Sequence, residues 1–348
     1  MSDATVYDGR HVDHIPFPVL IGDIGGTNAR FALLTDMHAE MKQLPSVRTA
    51  DHATIDDAIQ AAVLDKTSLV PRSAILAIAG PIVGERVELT NCDWAVEPRK
   101  SVERFGFAEM ILLNDFEAQS LALPGLEAGD LEPIGGGIRK PEAPRVVLGP
   151  GTGLGTGALV HARNIWVPVP GEGGHIDLGP VSERDMAIWP NIERVLGRVK
   201  AETVICGPGM VRLYRAICAT DGAEPRHATP EAVTAAGLSG VDAEAADTLK
   251  LFATYLGRVA GDLALLFMAY GGVYLAGGIS SQIAPVLKSG AFRDAFDFKA
   301  PHEEIMKRIA TAIVVKKDAP LAGIAAFARQ PSRFGVELAG RRWRGDGR

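Results

Sequence analysis

Cysteine, positive net charge and long apolar runs are all scarce in this sequence, and each shortage excludes a class of protein. Only three cysteines occur among 348 residues, none of them in a CxxC pair, so neither a disulfide framework nor a zinc knuckle is predicted. The net charge of −6 gives no reason to expect a basic surface for nucleic acid or membrane lipid. We therefore expect neither of those partners.

Secretory and membrane-spanning patterns are also missing. The first sixteen residues are polar and mixed in charge, without the basic-then-apolar order of a secretory signal. The most apolar stretch, 263–279, is interrupted by glycine pairs at 271–272 and 277–278, which predicts a helix end, a turn and a buried strand. A cytoplasmic location follows as the expectation.

Short apolar strands alternate with helical segments along most of the chain, which predicts the α/β class. The length of 348 residues fits two domains of ordinary size. Helical spacing occurs at 55–64, 242–269 and 321–330, and buried strands are predicted at 74–80, 110–113 and 273–278. Ser182 and Asp185 form a capping-box pattern that opens a predicted helix over 182–199, which Pro190 would kink or split.

Two glycine-rich segments are each flanked by strands and therefore predict hairpins. They are GDIGGTN at 22–28 and GPGTGLG at 149–155, and residue 149 lies 127 positions after residue 22, about one domain length. The spacing predicts an internal duplication. Glycine lets successive backbone N–H groups converge on an anion, and Thr27 and Thr152 add hydroxyl donors. Asp23 is placed to hold Mg²⁺ through water.

Neither segment has the Gly-Lys-Ser/Thr of a Walker A motif, and a strand rather than a helix follows each turn, so a Rossmann fingerprint is not indicated either. A plain hairpin without ligand remains an alternative for each segment taken alone.

Polar side chains in two further segments suggest chemistry. Asn114 and Asp115 directly follow the strand MILL, where open α/β sheets place their ligands, and Asp115 there can accept a hydroxyl proton. The alternative is that Asp115 only caps the next helix. In PGEGGH, Glu172 and His175 lie three residues apart on a glycine-rich segment, which suits a grip on two sugar hydroxyls.

Taken together, these segments resemble the bacterial glucokinase family, in the branch of the hexokinase and actin-like ATPase superfamily outside the ROK kinases. The matching strings are GDIGGTNARFALL, AIAGPI with TNCDW, LLNDFEAQSLAL, GPGTGLG, GEGGHIDLGP, CGPGMVRLYRAI and YLAGGI, in the expected order from about 19 to 330. The zinc motif of the ROK kinases is not found. Two departures are Pro150 in the second glycine-rich turn and the additions at both ends of the chain.

The resemblance implies two actin-like (ribonuclease H-like) α/β domains that flank a central cleft. It places a small domain at 17–124 plus 318–335 and a large domain at 125–317, with an N-terminal extension at 1–16 and a basic tail at 336–348. We expect the tail to be disordered. A homodimer is expected as well.

The implied reaction is transfer of the terminal phosphate of ATP to the 6-hydroxyl of D-glucose, which gives glucose 6-phosphate and ADP and brings glucose into glycolysis. Asp115 is the implied catalytic base, and the implied glucose contacts are Asn114, Asp115, Glu172, His175 and Glu202. The implied nucleotide-binding residues, with Mg²⁺ at Asp23 through water, are Gly22, Asp23, Ile24, Gly25, Gly26, Thr27, Gly151, Thr152, Gly277 and Gly278.

Three other interpretations remain open from the sequence. The chain could phosphorylate a different hexose, such as fructose, mannose or glucosamine, or use polyphosphate or ADP as donor. It could be an actin-like ATP-dependent regulator without sugar turnover, although residues 1–16 are too short for a helix-turn-helix. It could also be an α/β protein whose glycines only form turns, which the joint presence of all four segments disfavours.

Overall fold

A computed structural model describes residues 14–90 and 92–345, and these divide into two compact units. One unit takes the described residues up to Gly125, the segment Ala162–Pro168 and the described chain from Pro320 onward. The other takes Leu126–His161 and Val169–Ala319. Most of the predicted N-terminal extension lies outside the described residues, but Ile15 is described and buried.

The strands and helices alternate, as the sequence predicts. In chain order the strands are β1 (Val19–Ile24), β2 (Asn28–Leu34), β3 (Lys42–Gln43), β4 (Val47–Arg48), β5 (Ser73–Ile78), β6 (Val87–Glu88), β7 (Ala95–Val96), β8 (Glu109–Asn114), β9 (Leu131–Gly135), β10 (Arg145–Pro150), β11 (Leu154–Ala162), β12 (Ile165–Gly171), β13 (Gly272–Leu275), β14 (Thr311–Val314) and β15 (Arg342–Arg344). The α/β class is confirmed.

The helices fall between and after these strands. They are α1 (Ile55–Ala62), α2 (Pro98–Phe105), α3 (Asp115–Ala122), α4 (Glu183–Ile188), α5 (Ala201–Val204), α6 (Gly207–Asp221), α7 (Pro230–Ser239), α8 (Ala243–Phe267), α9 (Gly278–Gln282), α10 (Ala284–Leu287), α11 (Ala291–Asp297), α12 (Glu303–Met306) and α13 (Ala319–Arg329). Across 14–90 and 92–345, no helix combines the length and the apolar character that crossing a bilayer requires.

The first unit contains a seven-stranded sheet in the order β15-β8-β5-β1-β2-β3, with β4 also paired to β2. Strands β1 and β2 form the predicted antiparallel hairpin, whereas β1, β5 and β8 run parallel. All side chains of β5 are buried, as the apolar run 74–80 predicts for a central strand.

The six-stranded sheet, in the order β12-β11-β10-β13-β14-β9, repeats this arrangement. Its hairpin strands β10 and β11 are antiparallel, β10, β13 and β14 run parallel, and β9 closes the edge antiparallel to β14. In the first sheet β15 closes the edge antiparallel to β8 in the same way. The strand order and directions thus bear out the prediction of a repeated architecture.

Helix α8 forms the centre of the second unit's core. Its 25 residues begin after Asp242, whose side chain accepts a hydrogen bond from Ala245 N–H, within one residue of the predicted start. Two glycines on α8 allow close approach of α11, because a Cβ at Gly257 would overlap the carbonyl oxygen of Phe292. Both Phe292 and Phe296 of α11 are fully buried as a result.

The helix predicted over 182–199 is correct only in its first part. Ser182 does open α4 through a capping box with Asp185, but α4 ends at Ile188 and a single 3₁₀ turn covers Trp189–Asn191. Pro190 cannot donate the hydrogen bond that would continue the helix. Beyond it the chain reverses through positive φ angles at Leu196 and Gly197.

The prediction of a disordered basic tail is wrong for its described residues. Strand β15 pairs with β8 and buries the Trp343 side chain, while Gly345 N–H donates to Ala108 O. Arg342 forms an ion pair with the buried Glu109 at 2.6 Å. The buried Trp343 side chain and the buried Glu109 carboxylate therefore order a segment whose local composition suggests disorder. Residues 346–348 lie outside the described chain.

Candidate active site

Three parallel strands of the first unit end at one edge of their sheet. Ile24 of β1 is in register with Ile78 of β5, and Ile78 with Asn114 of β8. The first glycine-rich turn follows β1 and the Asn114–Asp115 pair ends β8 and begins α3, so both lie at the carboxyl edge of the parallel strands. This is the edge at which open α/β sheets bind ligands.

The first turn is held in shape by a buried threonine. Gly25 N–H donates to Asn28 O at 3.0 Å and closes the turn between β1 and β2. Thr49 donates its hydroxyl to Gly26 O at 2.8 Å and its N–H to Thr27 O at 3.0 Å. Because Thr49 donates to the carbonyl oxygens of both Gly26 and Thr27, the backbone of the turn is fixed, while the Thr27 side chain stays exposed.

Three predicted nucleotide-binding residues, Gly22, Asp23 and Ile24, lie before this turn, inside the strand. Gly22 and Ile24 are buried in β1, which is flanked by β2 and β5. A Cβ at Gly22 would come within 2.6 Å of Leu76 Cδ2, so glycine here serves close packing between β1 and β5. Any part they play in nucleotide binding stays a prediction.

Asp23 faces Arg30 across the same hairpin. The two residues are directly opposite in register, and Arg30 Nη1 lies 3.2 Å from Asp23 Oδ2. Burial raises the pKa of the Asp23 carboxyl, and the Arg30 charge opposes that rise without cancelling it. Asp23 is therefore a desolvated carboxylate with a cation at one of its oxygens.

The helix cap beside the candidate base is supplied by its neighbour. Asn114 Oδ1 accepts hydrogen bonds from Phe116 N–H at 2.9 Å and Glu117 N–H at 3.2 Å. In the opposite direction, the Glu117 carboxylate accepts a hydrogen bond from Asn114 N–H. This is a complete capping box with Asn114 at the N-cap. Asp115, half-buried at the first helical position, accepts a hydrogen bond from Phe116 N–H at 3.0 Å. The alternative that Asp115 serves as the cap is wrong.

In the second unit, the second glycine-rich turn lies next to the predicted adenosine-side glycines. Gly151 N–H donates to Gly153 O at 2.7 Å within the turn, and Gly207 at the start of α6 donates to Gly151 O at 2.8 Å. Gly277 has φ +85°, and a Cβ there would lie 2.9 Å from Pro150 O. Both features require glycine at 277. The close approach of Gly277 to Pro150 O also puts the two predicted nucleotide-binding segments in contact.

The three predicted sugar-binding residues of the second unit come together in one cluster. His175 Nε2 lies 3.8 Å from Glu172 Oε2 and 3.8 Å from Glu202 Oε1. Both distances are too long for direct hydrogen bonds and leave room for a bridging oxygen. Glu172 is well exposed at its side chain (67%), whereas Glu202 is mostly covered (25%). The cluster is thus open on the Glu172 side.

Glu202 is tied to the second hairpin. Its Oε2 accepts a hydrogen bond from Leu154 N–H at 2.9 Å, at the start of β11. A Cβ at Gly153 would overlap the same carboxylate, so glycine at 153 permits the contact. Sequence reasoning alone treats Glu202 as a surface helix residue; the structure couples it to the glycine-rich turn across 48 positions.

The glycines of GEGGH let their loop lie flat against β11. Thr156 donates its hydroxyl to Gly171 O at 3.1 Å and accepts from Gly173 N–H at 2.9 Å. A Cβ at Gly173 would lie 2.7 Å from the Thr156 hydroxyl, and one at Gly174 would overlap Leu154 O. The loop is therefore rigidly seated, and it presents Glu172 and His175 from a fixed backbone.

Lys200 is a member of this cluster that sequence reasoning missed. Its Nζ lies 3.1 Å from Glu202 Oε1 and 3.0 Å from His175 Nδ1, and only 11% of its side chain is exposed. Nothing in the local sequence marks it as functional, because its partners are two residues away on one side and 25 on the other. The position of the mostly covered Lys200 ammonium group between the Glu202 carboxylate and the His175 imidazole can be recognised only from the folded structure.

Glycine-rich turns, a carboxylate at a strand end and a cluster of two carboxylates with an imidazole are features of phosphoryl-transfer enzymes that act on polar substrates. Residues 20–331 match the family model described as glucokinase. The glucokinase of Rhizobium johnstonii is 58% identical over 330 residues, covering 95% of this chain and 97% of that protein.

Solved structures agree with the sequence comparison. The crystal structure of a glucokinase from an Antarctic psychrotroph is 31% identical with a TM-score of 0.80, covering 90% of this chain and 99% of that one. A glucokinase from Balamuthia mandrillaris, solved in complex with glucose, shares the fold with a TM-score of 0.74 at 22% identity, covering 89% and 93%. The chain belongs to the glucokinase family, whose activity is the phosphorylation of glucose.

Proposed function

We propose that this chain transfers the terminal phosphate of ATP to the 6-hydroxyl of D-glucose, with glucose 6-phosphate and ADP as products. The observation that carries the proposal is the register of Ile24, Ile78 and Asn114, because it sets an anion-binding turn and the Asp115 carboxylate at one sheet edge. Phosphoryl transfer needs alignment and charge stabilisation more than covalent help, and this edge offers groups for both.

In the proposed reaction Asp115 is the general base. The 6-hydroxyl gives its proton to the Asp115 carboxylate while its oxygen bonds to the terminal phosphorus, and the bond from that phosphorus to the bridging oxygen breaks to release ADP. The capping box keeps Asn114 engaged in the helix start, so Asp115 is held at a fixed point of the backbone. Its half-buried position suits a base that is shielded from bulk water.

Sugar binding is proposed to use the cluster in the second unit together with Asn114. Lys200 donates to His175 Nδ1, since an ammonium group has donors and no acceptor, and this leaves the ring proton on Nε2. That N–H and the carboxylates of Glu172 and Glu202 then surround a space that a sugar hydroxyl can fill as both donor and acceptor.

Nucleotide binding is proposed at the glycine-rich segments. The turn Gly25–Thr27 and the turn at Gly151–Thr152 would receive phosphate oxygens on backbone N–H groups and hydroxyls. Gly277–Gly278, in contact with Pro150, would lie on the adenosine side. Two actin-like domains remain part of this proposal, and their support is the strand order repeated in the two sheets. The central cleft between them stays a prediction.

The residues present fit Mg²⁺ bound with the nucleotide. No group of three metal-ligating side chains occurs within residues 14–90 and 92–345, and Mg²⁺ commonly binds one or two carboxylates, waters and substrate phosphates. Asp23 supplies one carboxylate, of which Arg30 contacts only Oδ2. We propose that Asp23 holds the ion through water; the ion itself supplies charge neutralisation at the phosphates.

An assay of ADP release tests the proposal directly. Glucose with ATP and Mg²⁺ should support turnover, whereas fructose, mannose and glucosamine should give much lower kcat/KM, because a site built from hydrogen bonds penalises a misplaced hydroxyl. Substituting ADP or polyphosphate for ATP tests the donor. Equal kcat/KM for all four sugars would contradict the assignment of glucose as the specific substrate.

A crystal soaked with glucose would test the atomic assignment. The Asp115 carboxylate should lie within hydrogen-bonding distance of the 6-hydroxyl. A cytoplasmic location and a homodimer, both expected from the sequence, stay predictions; light scattering after size-exclusion chromatography tests the second.

A further inference from the structure

The C-terminal segment of the described chain is built into the sheet that carries Asn114 and Asp115. In β15, Arg342, Trp343 and Arg344 pair with Ile111, Met110 and Glu109 of β8. Just before β15, Arg341 O accepts a hydrogen bond from Leu112 N–H at 3.0 Å. The segment therefore lies alongside β8, with Arg341 as the residue on the side of the candidate base, and it lies beyond residue 331, where the family match stops.

Arg341 forms a buried ion pair with Glu117. Its Nη1 lies 2.6 Å from Glu117 Oε2, with 13% of the arginine side chain and 1% of the glutamate side chain exposed. Nη2 donates to the carbonyl oxygen of Glu337, which fixes the guanidinium plane. The two partners are 224 positions apart in the sequence, so the contact exists only because β15 is in place.

Glu117 in turn contacts the backbone of the site. The same Oε2 accepts from Asn114 N–H at 3.3 Å, which is the reciprocal half of the capping box. The other oxygen, Oε1, is buried and has no hydrogen-bond partner among the described residues. Burial raises the pKa of Glu117, and Arg341 is the charge that opposes this rise. Arg341 is thus the main compensation for a carboxylate buried beneath the site.

We propose that Arg341 is a positioning residue: by holding the Glu117 carboxylate against Asn114 N–H, it fixes the backbone from which Asp115 and Asn114 project. The proposal rests on the proposed function of those two residues. A carboxylate without its counterion would protonate or rotate toward solvent. Protonation weakens the hydrogen bond that Glu117 accepts from Asn114 N–H, and rotation breaks it, so either change loosens the capping box.

Arg341→Met tests the proposal, with Arg342→Met as the matched control. Arg342 also pairs with a buried carboxylate, Glu109, at 2.6 Å and with 11% of its side chain exposed, but Glu109 begins β8 and lies at the opposite end of the strand from Asn114. We expect both variants to lower the melting temperature. Only Arg341→Met should lower kcat of the folded enzyme, by about 10- to 100-fold, since small misplacements of reacting groups cost rates of this order.

Two further variants separate positioning from folding. Arg341→Lys keeps a charge near Glu117 and should recover part of the lost turnover. The double variant Glu117→Gln with Arg341→Met should recover more, because a neutral amide needs no counterion and can still accept from Asn114 N–H. The KM for ATP should stay near the wild-type value in all of them.

Some results would overturn the proposal. Wild-type kcat in folded Arg341→Met would show that Arg341 contributes only stability. An equal loss of kcat in Arg341→Met and Arg342→Met would show that the effect does not depend on the contact with Glu117. Asp115→Asn is measured in parallel: if that variant keeps full turnover, the role of Asp115 fails, whereas loss in Asp115→Asn without loss in Arg341→Met rejects the positioning role alone.

Discussion

The ammonium group of Lys200 lies 3.0 Å from Nδ1 of His175, and the other ring nitrogen faces two carboxylates at 3.8 Å. Because lysine can only donate, Nδ1 must accept, and the ring presents an N–H on Nε2. The second contact of Lys200, with Glu202 Oε1 at 3.1 Å, joins the imidazole and the carboxylate into one fixed array. Lys200 thereby fixes the orientation of two proposed sugar ligands.

Lys200→Met should therefore weaken glucose binding. We expect the KM for glucose to rise about tenfold, since a hydrogen bond to a charged group is worth roughly 1.5–3 kcal/mol and solvent replaces part of it at a half-exposed imidazole. Lys299→Met is the control, because Lys299 is similarly covered (13% exposed) and pairs with Asp262 rather than with a site residue. An equal rise in both variants would contradict the orienting role.

Asp115→Asn should remove catalysis while retaining the sugar. Loss of a general base costs about 10²- to 10⁴-fold in turnover, and the amide keeps the size of the side chain. Glucose affinity, measured by calorimetry, should change little. Asp57→Asn, at an acid in the first turn of α1 in the same unit, serves as control and should keep wild-type kcat. Near-wild-type turnover in Asp115→Asn would show that the base lies elsewhere.

Glu172→Gln should separate sugar affinity from nucleotide affinity. Replacing a carboxylate that accepts from a sugar hydroxyl costs about 1.5–3 kcal/mol, so glucose affinity should fall roughly 10- to 100-fold while ATP affinity is kept. Glu183→Gln, an exposed acid at the start of α4, should alter neither. Parallel loss of both affinities in titration calorimetry would indicate that Glu172 is only structural.

The buried Asp185 predicts a pH dependence of stability. Burial would raise its pKa, but the hydrogen bonds it accepts, led by that from Ser182 N–H, more than offset this and hold the pKa below its ordinary value. A folded-state pKa below the unfolded value of about 3.9 stabilises the fold above that pH, and the contribution is lost as pH falls through the folded value.

Asp185→Asn should accordingly lower the free energy of unfolding by about 2–4 kcal/mol at pH 7, because Tyr255 and Arg258 lose a charged partner in a buried setting. Denaturant titrations of wild type and variant should converge as the pH falls below about 4. A difference that stays constant from pH 7 to pH 3 would mean that the carboxylate charge is not what stabilises this region.

Much of the fold could be predicted from the sequence because its signals are local. Glycine-rich turns between apolar runs predicted both hairpins, and the apolar run 74–80 predicted the central strand β5. The capping residue Ser182 located the start of α4, and helical spacing over 242–269 located the start of α8 to within one residue. Each of these signals depends on neighbouring residues only.

The missed features depend on residues far apart in the chain. The tail is ordered by Trp343 and by arginines whose carboxylate partners precede them by more than 220 positions. Lys200 is distinguished only by where His175 and Glu202 place their polar atoms. The 182–199 prediction failed after Pro190 because a strong start signal says nothing about where a helix ends.

The seating of the GEGGH loop on β11 has a consequence for directed evolution of substrate range. Any side chain at Gly173 or Gly174 would collide with Thr156 or with the backbone of Leu154, so libraries randomised at those codons should yield almost entirely inactive clones. Within this loop, productive diversity is confined to the neighbouring codons 172 and 175, whose side chains are 67% and 47% exposed. New sugar preferences in this scaffold should therefore arise by exchanging functional groups at two codons, not by enlarging or shrinking the loop.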